Sequence, residues 1–514
     1  MKGLPRGWSL CHIGDVLLPV EKTDKDDQNR EVWYIDISSI NNEYYQIKSA
    51  KRFMLSKAPS RARQKIRFGD VLFSTVRPYL RKIAFVNKRF DGEIASTGFS
   101  VLRGAVGIDP KYLFFKSISH DFVSALTGEQ YGVSYPAIKD EHIKAQPLEL
   151  PPTGEQRRIV EKIEGLFAEI DKGVESLKAA QAALDHYRKS LLKAAFEGRL
   201  TADWRARNPD KLEDPQTLLT RIRKEREAKY QTALAEWKRA VSEWNNSGQM
   251  DRKPFKPKRP KEFPVEFANL QIALSDLPTG WTWSHLGWCS TGPEYGTAEK
   301  SSDHGDVPVI RMGNLQGGTI DWKNLVYTSN KVEIKQYSLN AGDVLFNRTN
   351  SPELVGKSAI YRGCKPALFA GYLVRINQIE EIVMGSYLAY FLNSPVARAH
   401  GKTVKTDGVN QSNINATKLL EYPFPYCSIA EQAQIVATLD IRLDAMKMLK
   451  EEIKTNLSRI GALRQSILKQ AFSGKLVPQD PGDEPAAALL DRIKAQRAKK
   501  PPKPKPRKRK SAHP

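Results

Sequence analysis

Residues 188–200 read RKSLLKAAFEGRL, and residues 464–476 read RQSILKQAFSGKL. Each stretch spaces its apolar residues at helical intervals and closes on a glycine, Gly198 or Gly474, placed for a left-handed carboxyl-terminal cap. The interval of 276 residues is far longer than a common solenoid repeat. Working outward, LPRGWSLCHIG at Leu4 matches LPTGWTWSHLG at Leu277, and GDVLF at Gly69 recurs at Gly342, both at an offset of 273. YIDISSI at Tyr34 resembles VIRMGNL at Val309, GVSYPAI at Gly132 resembles GVNQSNI at Gly408, and EQRRIV at Glu155 matches EQAQIV at Glu431. Beyond the glycines, LLTRIRKER at Leu218 matches LLDRIKAQR at Leu489. One unit of about 200 residues is written twice, with a basic linker between the copies.

Each copy opens with short apolar runs such as VLFSTV and VLFNRT, punctuated by Gly, Pro, Asn and Asp, which predict strands of a mixed α+β domain. A very long helix follows. In the second copy Ile435, Leu439, Leu443, Met446, Leu449, Ile453, Leu457, Ile460, Leu463 and Ile467 form one apolar stripe. In the first copy Ile159, Ile163, Phe167, Ile170, Val174, Leu177, Leu184 and Leu191 do the same, with Gln181 interrupting. Ser428 with Glu431, and Thr153 with Gln156, predict capping boxes at the two starts. A helix from Glu155 to Gly198 is about 65 Å long, and a single apolar stripe of that length needs a partner. The simplest partner is the duplicate helix, giving an intramolecular coiled coil with an approximate two-fold axis; spacing alone allows either relative direction.

The formal charge of +23 is unevenly spread. Lys494–Lys510 carries ten basic residues and Arg252–Lys261 six more, so sixteen of the excess charges sit in two segments that read as disordered and solvated. Such segments add salt-sensitive phosphate affinity without sequence reading. Cys11, Cys289, Cys364 and Cys427 lie far apart with no CxxC pair, against a disulfide framework or zinc site. No stretch approaches the roughly 20 apolar residues of a membrane span. With no apolar signal core at the amino terminus, a cytoplasmic location is expected.

Catalytic motifs are missing: no GxGxxG loop, HExxH, GxSxG elbow or metal-spaced cluster appears. SPELVGKS at Ser351 ends like a phosphate loop, but its first glycine is replaced by serine and no amphipathic helix follows. The residues able to read DNA lie in polar loops after strands. STVRPYLRK offers Arg77, Tyr79, Arg81 and Lys82, and NRTNSPELVGK offers Asn347, Arg348, Asn350 and Lys357. A second loop pair offers Tyr131, Ser134 and Tyr135 in the first copy and Asn410, Gln411 and Asn413 in the second. Arg bonds guanine and Asn adenine bidentately in the major groove, whereas Lys and Ser mostly hold phosphates. Different polar tips on one scaffold suggest two different target sequences.

Two such domains, each followed by a helix opening EQRRIVEKIEGLF or EQAQIVATLDIRL and ending SLLKAAFEGRL or SILKQAFSGKL, resemble the specificity subunit of type I restriction-modification enzymes. LPxGW before each domain, and TADWRARNP and AAALLDRIKAQRA after the helices, extend the resemblance over nearly the whole chain. It implies target recognition domains at 1–152 and 277–427 and spacer helices at 153–200 and 428–476 that pair antiparallel. A helical and basic linker would occupy 201–276, and a partner-docking segment with a basic tail 477–514. It further implies a non-catalytic, pseudo-two-fold subunit that reads one half of a split, asymmetric double-stranded DNA target with each domain. Two modification subunits would use S-adenosylmethionine to methylate adenine, and restriction subunits would use ATP and Mg; no cofactor is expected in this chain. A type IIB specificity subunit and a structural coiled-coil scaffold are the alternatives.

Overall fold

The structure, a computed structural model, describes residues 3–23, 29–127, 137–247, 253–264, 266–267, 270–409 and 411–499. The chain forms two compact units: Met1–Lys178 with Ile453–Pro514, and Ala179–Glu452. Both are mixed α/β, and two 44-residue helices, Thr153–Phe196 and Ile429–Phe472, are the longest elements described. Among the described residues, no helix is long and apolar enough to cross a membrane.

In the first unit, Ser9–His12 pairs antiparallel with Pro147–Leu150, tying the start of the domain to its end. Between them lie a four-stranded sheet ordered Lys51–Met54, Glu31–Ile35, Ile94–Ser96, Ala62–Lys65 and a three-stranded sheet ordered Phe99–Leu102, Val71–Ser74, Ile83–Phe85. Val71 and Phe73 face a core shared with helices, while Leu72 faces a second core with Ile35, Ile66 and Phe90. This period-two alternation, apolar on both faces, explains why VLFS is buried at every position.

The second unit repeats the plan. Thr282–His285 pairs with Pro423–Tyr426, and the main sheet is ordered Ser290–Tyr295, Leu373–Gln378, Val344–Asn347, Ser358–Ile360. Val344 and Phe346 face one core and Leu345 the other.

Each unit draws on both copies of the repeat. The first domain's core includes Ile467, Leu468 and Ala471 from the end of the second long helix, and Leu489 and Ile493 from helix Ala486–Ala498. The second domain's core includes Leu191, Leu192, Ala195 and Phe196 from the end of the first long helix, with Leu218 and Ile222 from helix Pro215–Asn246. Leu218 and Ile222 match Leu489 and Ile493 in the repeat, so equivalent residues fill equivalent holes. In the first unit Asp171 pairs with Arg464, whose guanidinium also lies 5.4 Å from the Phe167 ring. In the second, Asp185 pairs with Lys450, and Tyr187 accepts from Arg442 at 3.5 Å. In the second unit the two helix segments run in opposite directions, since Asp185 and Tyr187 advance along one while Lys450 and Arg442 step back along the other.

Gly198 and Gly474 take φ of +71° and +67°. Their N–H groups donate to Ala195 and Ala471, and those of Arg199 and Lys475 to Ala194 and Gln470, the double bond of a Schellman cap. The helix starts depart from the expected capping boxes. Ser428 does cap, accepting from the Glu431 N–H at 3.3 Å, but the Glu431 carboxylate turns inward to Trp281, Thr201 and Arg205. Thr153 donates to the Gly107 carbonyl at 2.9 Å, and Gln156 bonds Asp109 N–H and the Pro151 carbonyl. Glu431 and Gln156 are buried and must be satisfied where they lie, whereas Thr153 is only partly buried and finds its partner 46 residues away.

The apolar stripe of the second helix is also incompletely covered. Ile435, Leu439, Met446, Ile453 and Ile467 are buried, whereas Leu449 and Leu463 are 49% and 50% exposed. Nor is the basic linker free along its described part: the Pro254 carbonyl accepts from the Trp237 indole at 3.0 Å, and Lys256 lies 5.7 Å from that ring. The tail from Lys500 lies outside the described residues.

Candidate nucleic-acid interface

In the second unit, the polar loop after Val344–Asn347 is zipped to the loop around residue 411. Thr349 pairs with Asn413 and Asn350 with Ser412, and the latter strand pairs in turn with Thr406–Asp407. The Asn413 amide donates to Thr349 Oγ1 at 2.8 Å, and Ile414 N–H donates to the Arg348 carbonyl at 2.8 Å. Two segments some 60 residues apart thereby form one platform.

The first unit uses the same join. Val76 bridges Ala137, and Ile138 N–H donates to the Thr75 carbonyl at 2.9 Å. Thr75 and Ile138 are the repeat equivalents of Arg348 and Ile414, so the backbone frame is common to both domains and the side chains on it differ.

On the second platform, the Arg348 guanidinium lies 4.9 Å from the half-exposed Tyr295 ring, a cation–π contact that presents both groups together. Asn350 Oδ1 accepts from Ser351 N–H at 2.8 Å. Lys357 Nζ reaches Gln316 Oε1 at 3.3 Å, and burial, followed by the nearby Arg398 charge, lowers its pKa. Gln411 is exposed, and its carbonyl accepts from Gly408 N–H at 2.7 Å. Asn347 is different. It is fully buried at the end of its strand, and neither polar atom of its side-chain amide has a hydrogen-bond partner. It therefore lies beneath the surface that the sequence placed it on. Asn410 lies outside the described residues.

On the first platform, Arg77 and Arg81 bracket a 3-10 turn, Pro78–Leu80, whose Tyr79 is 50% exposed. Arg81 contacts His120 Nδ1 at 3.3 Å. Lys82 Nζ donates to the Ile40 carbonyl at 2.6 Å, which ties its charge to the domain's own backbone. Tyr131, Ser134 and Tyr135 lie outside the described residues.

Sequence reasoning passed over Tyr295, Gln316 and Arg398. Arg398 is a positioning residue: its Nη1 and Nη2 donate to the carbonyls of Val355 and Glu353 at 2.8 and 2.9 Å and hold the 351–357 loop in place. An arginine on a helix 40 residues downstream carries no local signal of that task. Tyr295 was accessible as an aromatic in a Gly-flanked polar run, PEYG. Among the described residues no group of three or more His, Cys, Asp or Glu side chains is placed to hold a metal ion.

Comparison with known proteins fits this duplicated plan. Two segments, residues 5–177 and 290–459, match the family model described as type I restriction modification DNA specificity domain. The chain is 24% identical over 399 residues to the type I restriction enzyme EcoBI specificity subunit of Escherichia coli, covering 75% of this chain and 72% of that one. It is 25% identical over 399 residues to the EcoKI specificity subunit of E. coli strain K12, covering 74% and 70%. Among solved structures, the HsdS subunit of Thermoanaerobacter tengcongensis superposes with a TM-score of 0.56 at 25% identity, covering 92% of this chain and 98% of that one. A chain from a structure concerned with complex assembly and conformational transition of the type I R-M system gives 0.62 at 26% identity, covering 92% and 100%. With the family model matching both copies of the repeat and the duplicated loop frame recurring in each, this chain belongs to the type I restriction modification DNA specificity domain family.

Proposed function

We propose that this chain is the sequence-reading, non-catalytic subunit of a type I restriction-modification complex, and that each domain reads one half of a split DNA target. The observation that carries the reading is the shared loop frame, joined at Thr75–Ile138 and Arg348–Ile414, with different side chains mounted on it in each domain. A common scaffold with divergent polar tips is what two half-sites of different sequence require. Arg77, Tyr79 and Arg81 read for the first domain, together with Tyr131, Ser134 and Tyr135. Arg348, Asn350, Asn410, Gln411 and Asn413 read for the second, with Lys357 on phosphate. Lys82 and Asn347 support the loops from beneath.

The two long helices form an intramolecular antiparallel coiled coil that sets the number of unread base pairs between the half-sites. The pairs Asp171–Arg464 and Asp185–Lys450 fit that arrangement, because fourteen residues up one helix answer to fourteen down the other. The target recognition domains are 1–152 and 277–427, with the linker at 201–276 and a docking segment at 477–514. The partners are double-stranded DNA, two modification subunits carrying S-adenosylmethionine, and restriction subunits using ATP and Mg, all in the cytoplasm.

Single-molecule methylation sequencing of the native genome, with and without an in-frame deletion of this gene, tests the reading. Loss of one split adenine-methylated motif is the expected result and reports the target directly. Retention of every methylated motif, with a methyltransferase co-purifying and active, would sink it.

A further inference from the structure

Four non-glycine residues among those described adopt positive φ, and three of them, Tyr45, Arg77 and Arg81 at 52°, 49° and 50°, cluster around one surface of the first domain. L-residues adopt this conformation at a cost and hold it only where the surroundings over-determine it; such positions gather at ligand-contacting sites. Here the surroundings are explicit. Pro78 is buried, Leu80 and Arg81 N–H donate back to the Arg77 and Pro78 carbonyls at 2.9 Å, and the Asn42 amide holds the Leu80 carbonyl at 3.0 Å. The left-handed residues at both ends force the chain out and back within five positions.

What the turn lifts into solvent is apolar. Tyr79 is 50% exposed and Leu80 40%, and Tyr44, in the loop tied to Leu80 through Asn42, is 51% exposed. Arginines flank the tip on both sides. A rigid, exposed aromatic and leucine between two guanidiniums is poorly suited to hydrogen-bonding a base edge, since it offers one hydroxyl and otherwise carbon. It is well suited to entering a base step, which would leave the edges beside that step to the two arginines.

The second domain lacks the device. The corresponding loop is longer and carries Pro352, Glu353 and Leu354 at its tip, and Arg398 pins it from behind. Its Leu354 is 40% exposed, as Leu80 is, but no aromatic stands beside it and the neighbouring Glu353 carboxylate opposes entry between phosphate-bearing strands.

Resting on the proposal that the first domain reads DNA, we infer that Tyr79 and Leu80 form a wedge that unstacks one base step in the first domain's half-site, with no counterpart in the second. DNA distortion is then asymmetric. Part of the specificity of the first half-site comes from how readily that step unstacks, not from contacts to its edges.

The test uses the full-length protein purified from its native host with its bound partners. Duplexes of the methylated motif carry 2-aminopurine at each position in turn. Apart from the target adenine of each half-site, which the modification subunits flip, the wedge predicts enhanced fluorescence at one step in the first domain's half-site only, and binding about tenfold tighter when that step carries a mismatch, because the unstacking cost is already met. Tyr79→Ala/Leu80→Ala should lose both effects while keeping its discrimination in the other half-site, which reports that the domains remain folded. Selective binding with no enhancement other than at the target adenines, or enhancement and mismatch preference at that step that survive in the double variant, overturns the wedge and leaves the reading role intact. Binding with no sequence selectivity overturns the reading role, and the wedge with it.

Discussion

The indole N–H of Trp281 donates to the carboxylate of Glu431 at 2.8 Å, and both side chains are buried. Trp8 and Glu155 make the same contact at 3.0 Å in the first unit. In each case the glutamate opens a long helix, the tryptophan belongs to the LPxGW segment of the same copy, and the third contributor comes from beyond the helix of the other copy: Thr201 and Arg205 on Glu431, Gln479 on Glu155. The node is where the start of one copy and the end of the other are fastened together.

Removing one member of this node leaves a buried polar partner short of a hydrogen bond. Trp281→Phe should destabilise the second unit by about 1.5–3 kcal/mol, the range for a lost hydrogen bond to a charged group. Glu431→Ala, which strands Arg205 as well, should cost about 3–5 kcal/mol. Urea unfolding of the full chain reads both, and equal midpoints for wild type and Glu431→Ala would contradict the assignment.

The helix-ending glycines are a second sensitive point. A Cβ on Gly198 would lie 2.4 Å from Pro278 Cγ, and one on Gly474 2.2 Å from Pro5 Cγ, with both residues at positive φ. Alanine at either position should lower stability by at least about 2 kcal/mol, combining left-handed strain with the clash. At Gly165, where a Cβ meets nothing within 4 Å inside a helix, alanine should instead stabilise slightly. Thermal melts of the three variants give the comparison.

His400 is 6% exposed on helix Pro395–Val404, edge-on to Tyr422 at 4.8 Å, and burial pushes its pKa down to about 4. The ordinary value is 6.5, so as pH falls the unfolded chain takes up this proton first. Stability from this site is therefore complete above pH 6.5 and is lost progressively between 6.5 and about 4. His285, lowered in the same direction by burial, adds to the slope. His400→Phe should flatten the dependence, seen as a smaller difference between denaturation midpoints at pH 7 and pH 5. A difference as large as that of wild type would place the proton uptake elsewhere.

The ruler reading has a geometric consequence. Inserting one heptad after Lys178 and a matching one before Ile453 lengthens each helix by about 10.5 Å, the axial span of roughly three base pairs. Methylation sequencing should then report both half-sites unchanged with the gap between them widened by about three. An unchanged gap would rule out spacing by the helices.

The landmarks legible in the sequence are those whose physics is local. Gly198 and Gly474 were readable as caps because a helix that must reverse needs a left-handed residue one step past its end. The two long helices and the VLF strands followed from periodicity, which reports the face a residue buries. Periodicity does not report what covers that face. That Leu489 and Ile493 complete the first domain, 300 residues upstream, is a tertiary fact with no local trace. Glu431 looked like half of a capping box because S-x-x-E is a local pattern, yet a buried carboxylate goes to its strongest donors, and Trp281 lies 150 residues away. Asn347 misled for the converse reason. A polar residue following an apolar strand reads as the first residue of a loop, whereas here the strand runs one position further and keeps the amide inside.

The sharing of chain between the units has a consequence for synthesis. The unit formed by Ala179–Glu452 is continuous, so all its parts have been made once Glu452 leaves the ribosome. The first domain is made earlier but needs Ile467, Leu489 and Ile493 to close its core, and at typical elongation rates these arrive roughly half a minute later. During that interval the oldest part of the chain carries an open apolar face. The domain translated first is the one that must wait, and a nascent chain stalled before the second long helix is an aggregation hazard rather than a functional half.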